Sequence, residues 1–416
     1  MNIALVTYEF PPETAIGGIG SYMYHLALLL HNNGHIVTVF SAGLSKTEVV
    51  VVEREHCTNF LVPATDNKIF REQVLSVFEQ FSITNKVDAI ESPEVGACAL
   101  GIKEKFPHIP LIVKMHTPGV LITRVNNTYL PFSKKVRFVA GALLRGKIDA
   151  GYWAGHDKNR DEDIEYQICM KADYLLSPSL ALKNWAFNFW KIPLSRIQVL
   201  RNPFSIRDSL FDLVLSQRPR VVSFVGKLSV LKGMKALTKA IPMILDENKG
   251  CKVFLVGRDE MENGQSMKKY MQEQLAEYKA DIVFTGALNK EALKEIYAQS
   301  KVCVVPSLWE NYPTVILEAM AAGVAVAASN VGGIPELISH NVTGKLFNPM
   351  RPRQIAATVN SLLKTEERRL LLVRSARNEL QKQLNDATVE KDQLRVYENV
   401  GSSIKQRAYN FPVIDC

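Results

Sequence analysis

Two glutamates, Glu310 and Glu318, stand eight residues apart in the stretch KVCVVPSLWENYPTVILEAMAAG. Eight residues is slightly more than two turns of a 3.6-residue helix. That spacing predicts carboxylates on roughly the same side, Glu318 on the helix and Glu310 on the loop before it. A short apolar strand, Val302 to Val305, enters this loop, Pro313 sits near the first helical position, and a helix of small residues follows. A helix start offers unpaired backbone N–H groups and a positive dipole end, which suits an anion. Carboxylates that accept hydroxyl protons beside a phosphate-binding helix end are what a sugar nucleotide needs. A solvated surface pair is the plain alternative.

The segment FVGKLSVLKG adds Lys227 and Lys232 just past another apolar strand. Two cations five residues apart on a strand-to-helix loop can face one diphosphate; two solvated lysines are the alternative. Charge-assisted hydrogen bonds contribute about 1.5–3 kcal/mol each, and they stabilise a diphosphate that leaves carrying extra negative charge. Gly17, Gly18 and Gly20 follow the first strand through the loop EFPPETAI and open a helix, where glycine lets backbone approach a ligand. A dinucleotide fingerprint fits this loop poorly: the loop is long, no third glycine follows at the right step, and the second strand ends in Phe40-Ser41 instead of an acid for ribose. His116 follows the strand LIVKM in the run HTP. Asp161, Glu162 and Asp163 spell a string like a manganese-binding motif. They lie in a polar stretch before a helix, where acids are expected for helical reasons alone, and no metal is expected.

These groups need elements to hold them. The first half alternates apolar runs with helical patterns: strands at Asn2–Tyr8 and His35–Phe40, a helix over Gly20–Asn32 stopped by Gly34, and further strands at Ala89–Ser92, Leu111–Lys114 and Tyr174–Ser177. The second half repeats the pattern, with strands at Val221–Gly226, Lys252–Gly257, Asp281–Thr285, Val302–Val305 and Val324–Ala328 and helices near 233–247, 264–279, 290–299 and 314–322. Strands buried on both faces and separated by helices predict parallel sheets. Residues 201–220 lack a clean period and read as a linker; from Arg351 the chain is nearly all helix. At 416 residues with 47% apolar content, two domains with real cores are expected.

The six cysteines are scattered without a Cys-x-x-Cys, which predicts buried free thiols. The N-terminus lacks the parts of a signal peptide and no run of about 18 apolar residues exists, so a cytoplasmic protein is expected. The net charge of +8 is unevenly spread: from Pro118 to Ile148 six basic residues (Arg124, Lys134, Lys135, Arg137, Arg145, Lys147) stand with no acid. Stretch 119–148 reads as a peripheral contact with anionic membrane at its inner face, or else as an acceptor-side lid or ordinary solvated helix. No aromatic stacking platform suggests nucleic acid.

The segment around Glu310 and Glu318, together with FVGKLSVLKG and the Gly17–Gly18 loop, resembles the donor-site signature of retaining glycosyltransferases of family 4, the GT-B type. The resemblance covers nearly the whole chain, strongest over 221–348 and weakest over 119–164. It implies an α/β fold of two Rossmann-like doubly wound domains facing a cleft. An acceptor-side domain would span 1–204 and a nucleotide-sugar domain 205–388, with a helix and tail at 389–416, including YNFPVIDC, crossing back to the first. The implied activity is transfer, with retention, of a hexosyl group from a nucleoside-diphosphate sugar, UDP- or GDP-sugar foremost. The acceptor would be a hydroxyl of a saccharide or lipid-linked molecule, in cell-surface polysaccharide or glycolipid synthesis, without cofactor.

Roles follow by resemblance. Glu310 would hold hydroxyls of the donor sugar and Glu318 those of the ribose. Lys227 and Lys232 would meet the diphosphate, and His116 would lie near the sugar and the reacting centre. Gly17 and Gly18 would reach the donor phosphates and the acceptor. Asn311, Tyr312, Thr314 and Val315 can present backbone N–H groups. Two positions depart from the family: Lys227 replaces an arginine, losing the two-pronged donor, and Pro313 stands where many relatives have glycine, removing one N–H. A nucleotide-sugar hydrolase or epimerase on the same fold, or a non-catalytic binding protein, are the rival expectations; a nicotinamide oxidoreductase lacks its fingerprint.

Overall fold

The structure is a computed structural model that describes all residues except 15–16, 128–131, 145–159, 204–207, 216–217, 263, 386 and 410–416. Two compact units emerge: Met1–Leu121 with Ala154–Ser205 and Ala387–Cys416, and Ile122–Trp153 with Ile206–Asp386. The sequence places 122–144 with the first domain; its described residues, 122–127 and 132–144, group instead with the second unit, where Val125 packs on the core.

The first unit is built on eight strands: β1 (Asn2–Val6), β2 (Ile36–Gly43), β3 (Val50–Arg54), β4 (Cys57–Pro63), β5 (Ala89–Pro93), β6 (Leu111–Lys114), β7 (Tyr174–Ser177) and β8 (Ile197–Val199). Their order is β3-β4-β2-β1-β5-β6-β7-β8. Every pairing is parallel except the β3–β4 hairpin. That hairpin was not anticipated. Val50–Arg54 alternates half-buried and exposed positions, as an edge strand does, whereas β5 and β6 are buried throughout because helices cover both faces. Sequential strands run outward from β1 in one direction to β2 and in the other to β5. The loops leaving β1 and β5 therefore part at a switch point, the place where doubly wound sheets bind ligands.

The core of this unit joins Leu5, Leu26, Val39 and Ile112 to Val396, Tyr397 and Val400 of the Thr388–Tyr409 helix. Tyr22 and Tyr397 both donate to the buried carboxylate of Glu91. Burial raises the Glu91 carboxyl despite these two donors and the neighbouring Lys114. Residues 410–416 of the expected tail lie outside the described residues.

The second unit holds β9 (Val221–Val225), β10 (Lys252–Val256), the short hairpin β11 (Met261–Glu262) and β12 (Gln265–Ser266), β13 (Ile282–Gly286), β14 (Val302–Val305), β15 (Ala325–Ser329) and β16 (Lys345–Phe347). Its six-stranded sheet is wholly parallel in the order β13-β10-β9-β14-β15-β16. Here the switch point falls between β9 and β14. The loops leaving these two strands carry Lys227 and Lys232, and Glu310, respectively. The sequence linker is not structureless: the guanidinium of Arg218 is buried and donates to the carbonyls of Val214, Ser300, Ala322 and Gly323.

Candidate active site

In the second unit the loop after β9 is stitched to the loop after β14. The Leu308 N–H donates to the Leu231 carbonyl at 2.8 Å. Gly233 follows with φ +77, and a Cβ there would lie 1.8 Å from the carbonyl oxygen of Pro306. Only glycine permits both the left-handed backbone and the close approach. The result brings Lys232 Nζ to 2.5 Å from Glu310 Oε1, and the Ser307 hydroxyl donates to the same oxygen at 2.7 Å. The loop after β15 supports Glu310 from the other side: Gly333 N–H donates to the Glu310 carbonyl at 2.8 Å. Gly332, φ +54, leaves no room for a Cβ, which would fall 2.1 Å from that carbonyl oxygen.

Glu310 and Glu318 have different partners. Glu310 precedes the Thr314–Ala321 helix by four residues, so the helical period that suggested a shared face does not relate them. Glu318 lies on that helix and accepts from the Tyr297 hydroxyl at 3.1 Å. Burial raises its carboxyl, with the Tyr297 bond and the nearby Lys290 acting the other way. Pro313 is the N-cap, in extended conformation, with no side-chain cap. The amides of Thr314 and Val315 thus occupy the first turn, where a helix supplies no acceptor of its own. Asn311 and Tyr312 are buried beneath the loop, the Trp309 indole donating to Asn311 Oδ1 at 2.7 Å. Lys227 is more exposed and pairs with Glu260 at 3.0 Å, on the loop after β10. Each lysine of the FVGKLSVLKG segment therefore faces a glutamate.

The first unit gathers a second set of groups at its own switch point. Gly17 caps the Gly18–Asn32 helix, and a Cβ on Gly17 would fall 2.6 Å from Glu9 Oε2. Gly18 is exposed, with open space around it. His116 follows β6 and is nearly buried; its Nδ1 lies 3.0 Å from the Lys114 carbonyl and its ring meets Tyr22 edge-on at 5.5 Å. A carbonyl only accepts, so Nδ1 carries the hydrogen. Lys114 is fully buried, its ammonium 5.3 Å from the centre of the Tyr22 ring, and burial pulls it below the usual lysine range. The acidic string resolves as helix-start chemistry: Asp161 and Glu162 lie in a 3-10 turn, and Asp163 caps the Ile164–Lys171 helix by accepting from the Glu165 N–H at 3.0 Å.

Sequence reasoning missed Glu94, Glu165, Tyr297, Ser307 and Glu260. The signal available for Glu94 was its place in ESPEVG, directly after an apolar strand, and for Ser307 its place three residues before Glu310; Glu165, Tyr297 and Glu260 make their contacts across distant stretches of chain.

Comparison with known proteins adds an independent line. The family described as Glycosyltransferase Family 4 matches residues 16–207, and that described as Glycosyl transferases group 1 matches residues 205–379. An uncharacterized glycosyltransferase of Methanocaldococcus jannaschii is 26% identical over 413 residues, covering 95% of this chain and 98% of that protein. Among solved structures, the sucrose-phosphate synthase of Thermosynechococcus elongatus superposes with a TM-score of 0.75 at 18% identity, covering 97% of this chain and 100% of that one. The HepE protein of Anabaena, solved with UDP-glucose, gives a TM-score of 0.65 at 17% identity, covering 95% of this chain and 99% of that one. Both carry the GT-B architecture of two parallel-sheet Rossmann-like domains.

Proposed function

This chain belongs to the family-4 glycosyltransferases, and from that premise we propose that it moves a hexosyl group, with retention, from a nucleoside-diphosphate sugar to a hydroxyl of a saccharide or lipid-linked acceptor. Cell-surface polysaccharide or glycolipid synthesis is the setting we assign to it. The observation that carries the proposal is the 2.5 Å pairing of Lys232 with Glu310 beside the uncapped start of the Thr314–Ala321 helix. A diphosphate laid against that helix start draws Lys232 toward its oxygens. Glu310 then turns its carboxylate to sugar hydroxyls, while Glu318 takes the ribose. The UDP-glucose bound by the Anabaena protein supports a donor of this class.

In the proposed step, the acceptor oxygen bonds to the anomeric carbon on the face from which the phosphate oxygen departs. The C–O bond to the diphosphate breaks, and the acceptor proton passes to a phosphate oxygen. Lys232, Lys227 and the amides of Thr314 and Val315 stabilise the charge gathering on the leaving group. These cations and the helix end take the place of a metal, so the transfer is proposed to be metal-independent. His116 lines the sugar side, and Gly17 and Gly18 let the backbone of the β1 loop come close. Stretch 119–148 is proposed as the peripheral membrane contact of a cytoplasmic protein: Val136, Val139 and Leu144 are exposed beside Arg137 on the Phe132–Leu144 helix.

The donor is identified by thermal shift with UDP-, GDP- and ADP-sugars, since a true ligand raises the melting temperature by mass action. With that donor, Lys232→Ala and Glu310→Ala each lower transfer by about a hundredfold or more. Undiminished turnover in both variants removes the assignment. Free sugar or an epimerised donor formed in the absence of acceptor, with no transfer in its presence, points to the hydrolase or epimerase instead.

A further inference from the structure

Glu94 stands immediately beyond β5 and is fully buried, at 0% exposure. Both of its carboxylate oxygens lie 2.7 Å from the backbone nitrogen of His116, which donates to them. The imidazole lies against the same carboxylate, Nδ1 being 3.5 Å from Glu94 Oε2. Among the described residues, His116 is the basic side chain within salt-bridge range of Glu94. A second, half-buried carboxylate, Glu165, holds the far end of the same loop, accepting from Gly119 N–H at 2.7 Å and Gly96 N–H at 3.3 Å.

One backbone amide is satisfied equally well by a neutral carbonyl oxygen, and burying an ionised carboxylate is costly unless a cation or strong donors answer it. What a glutamate adds at position 94 is its charge, and the group placed to feel it is the His116 ring. With Nδ1–H held on the Lys114 carbonyl, the ring presents its Nε2 edge in one orientation, and the Glu94 carboxylate lies close enough for its charge to act on that ring.

We infer that Glu94 is a positioning residue for the transfer reaction: it pins the His116 amide and, by its charge, sets the orientation and electrostatics of the imidazole against the reacting sugar. This rests on the transfer reading of the site, with His116 beside the donor sugar. Thereafter the two stand or fall on different results.

The test compares Glu94→Gln, His116→Gln and the double variant, measuring kcat, donor KM and melting temperature with the donor found by thermal shift. Glu94→Gln keeps an acceptor for the amide and removes the charge. It lowers kcat by about tenfold or more while donor KM stays within about twofold, because Glu94 touches His116 and not Lys227, Lys232, Thr314 or Val315, the groups proposed to stabilise the diphosphate. Added to His116→Gln, it costs no more than about a further twofold, since interacting residues are non-additive. Wild-type kcat in Glu94→Gln, or the same fold loss in both backgrounds, overturns the inference while leaving transfer intact. A wild-type chain that neither binds nor turns over any nucleotide sugar overturns the transfer reading instead. Amide exchange of the wild-type chain reads the contact without catalysis and without any variant having to fold: the His116 N–H exchanges slowly, and exchange at the rate of an open loop ends the proposal.

Discussion

At the scale of single residues, the loops proposed for the donor hold their charges in opposed pairs. Lys232 answers Glu310 and Lys227 answers Glu260, so a diphosphate bound as proposed competes with carboxylates for both ammonium groups. The exchange is inexpensive for Lys227, whose pair is largely solvated and so contributes about 0–1 kcal/mol. It is more consequential for Lys232, the less exposed of the two. On the other unit, Glu165 offers a test by pH. Burial and the neighbouring Glu94 raise its carboxyl to about 7, with Asp163 adding to the effect and the Gly119 and Gly96 amides opposing it. The folded carboxyl thus holds its proton more tightly than the unfolded one. The stability this contributes is complete below the unfolded value of about 4.3 and is lost as pH rises through about 7. Glu165→Gln is therefore expected to gain on the wild type between pH 5 and 8 in thermal melts. A gap that does not change across that range removes the assignment.

At the scale of elements, the proposed donor site depends on two loops and one short helix being held in place. The Thr314–Ala321 helix is gripped at its C-terminal end: Arg218 donates to the carbonyls of Ala322 and Gly323 at 2.7 and 3.0 Å, and Arg377 to that of Ala321 at 2.9 Å. Cations at this end answer the last carbonyls and the negative end of the dipole. The opposite end is left to the site. Gly233 is the matching constraint on the β9 loop. Gly233→Ala is expected to cost about 2–4 kcal/mol, because a left-handed alanine is strained and its Cβ would press on the Pro306 carbonyl. Urea unfolding measures the loss, and nucleotide affinity should weaken with it because Lys232 is the preceding residue. An unchanged midpoint would mean that the two loops are not packed as described.

At the scale of the whole molecule, no described helix is long and apolar enough to cross a membrane, yet the chain carries a net charge of +8 with a basic run that neither sheet uses. Vesicles rich in anionic lipid are expected to sediment with the protein, and the triple variant Lys134→Glu, Lys135→Glu, Arg137→Glu should abolish this without altering donor affinity. Co-sedimentation that persists in the variant, or is absent from the wild type, ends the membrane proposal. The C-terminal helix shows how far apart in sequence the partners of one core can lie: Tyr397 meets Glu91 across 306 positions.

Much of this was legible in the residues alone. Apolar runs of four or five residues between helical periods are written locally, and so β5, β6, β7, β9, β10 and β14 fell where the pattern put them. Lys232, Glu310 and Glu318 were marked by their places at strand ends and on a helix, which are also local properties. Strand order, the switch points and the partners of each charge are not local. They depend on which loops the sheets bring together, and no spacing along the chain encodes that. Helical period set Glu310 beside Glu318, whereas the fold set Glu310 on Lys232 across 78 positions. The β3–β4 hairpin escaped because an exposed edge strand alternates too briefly to stand out. Glu94 and Glu165 escaped because a buried or half-buried carboxylate is recognised by its surroundings, and those come from three separate stretches of chain that only tertiary packing assembles.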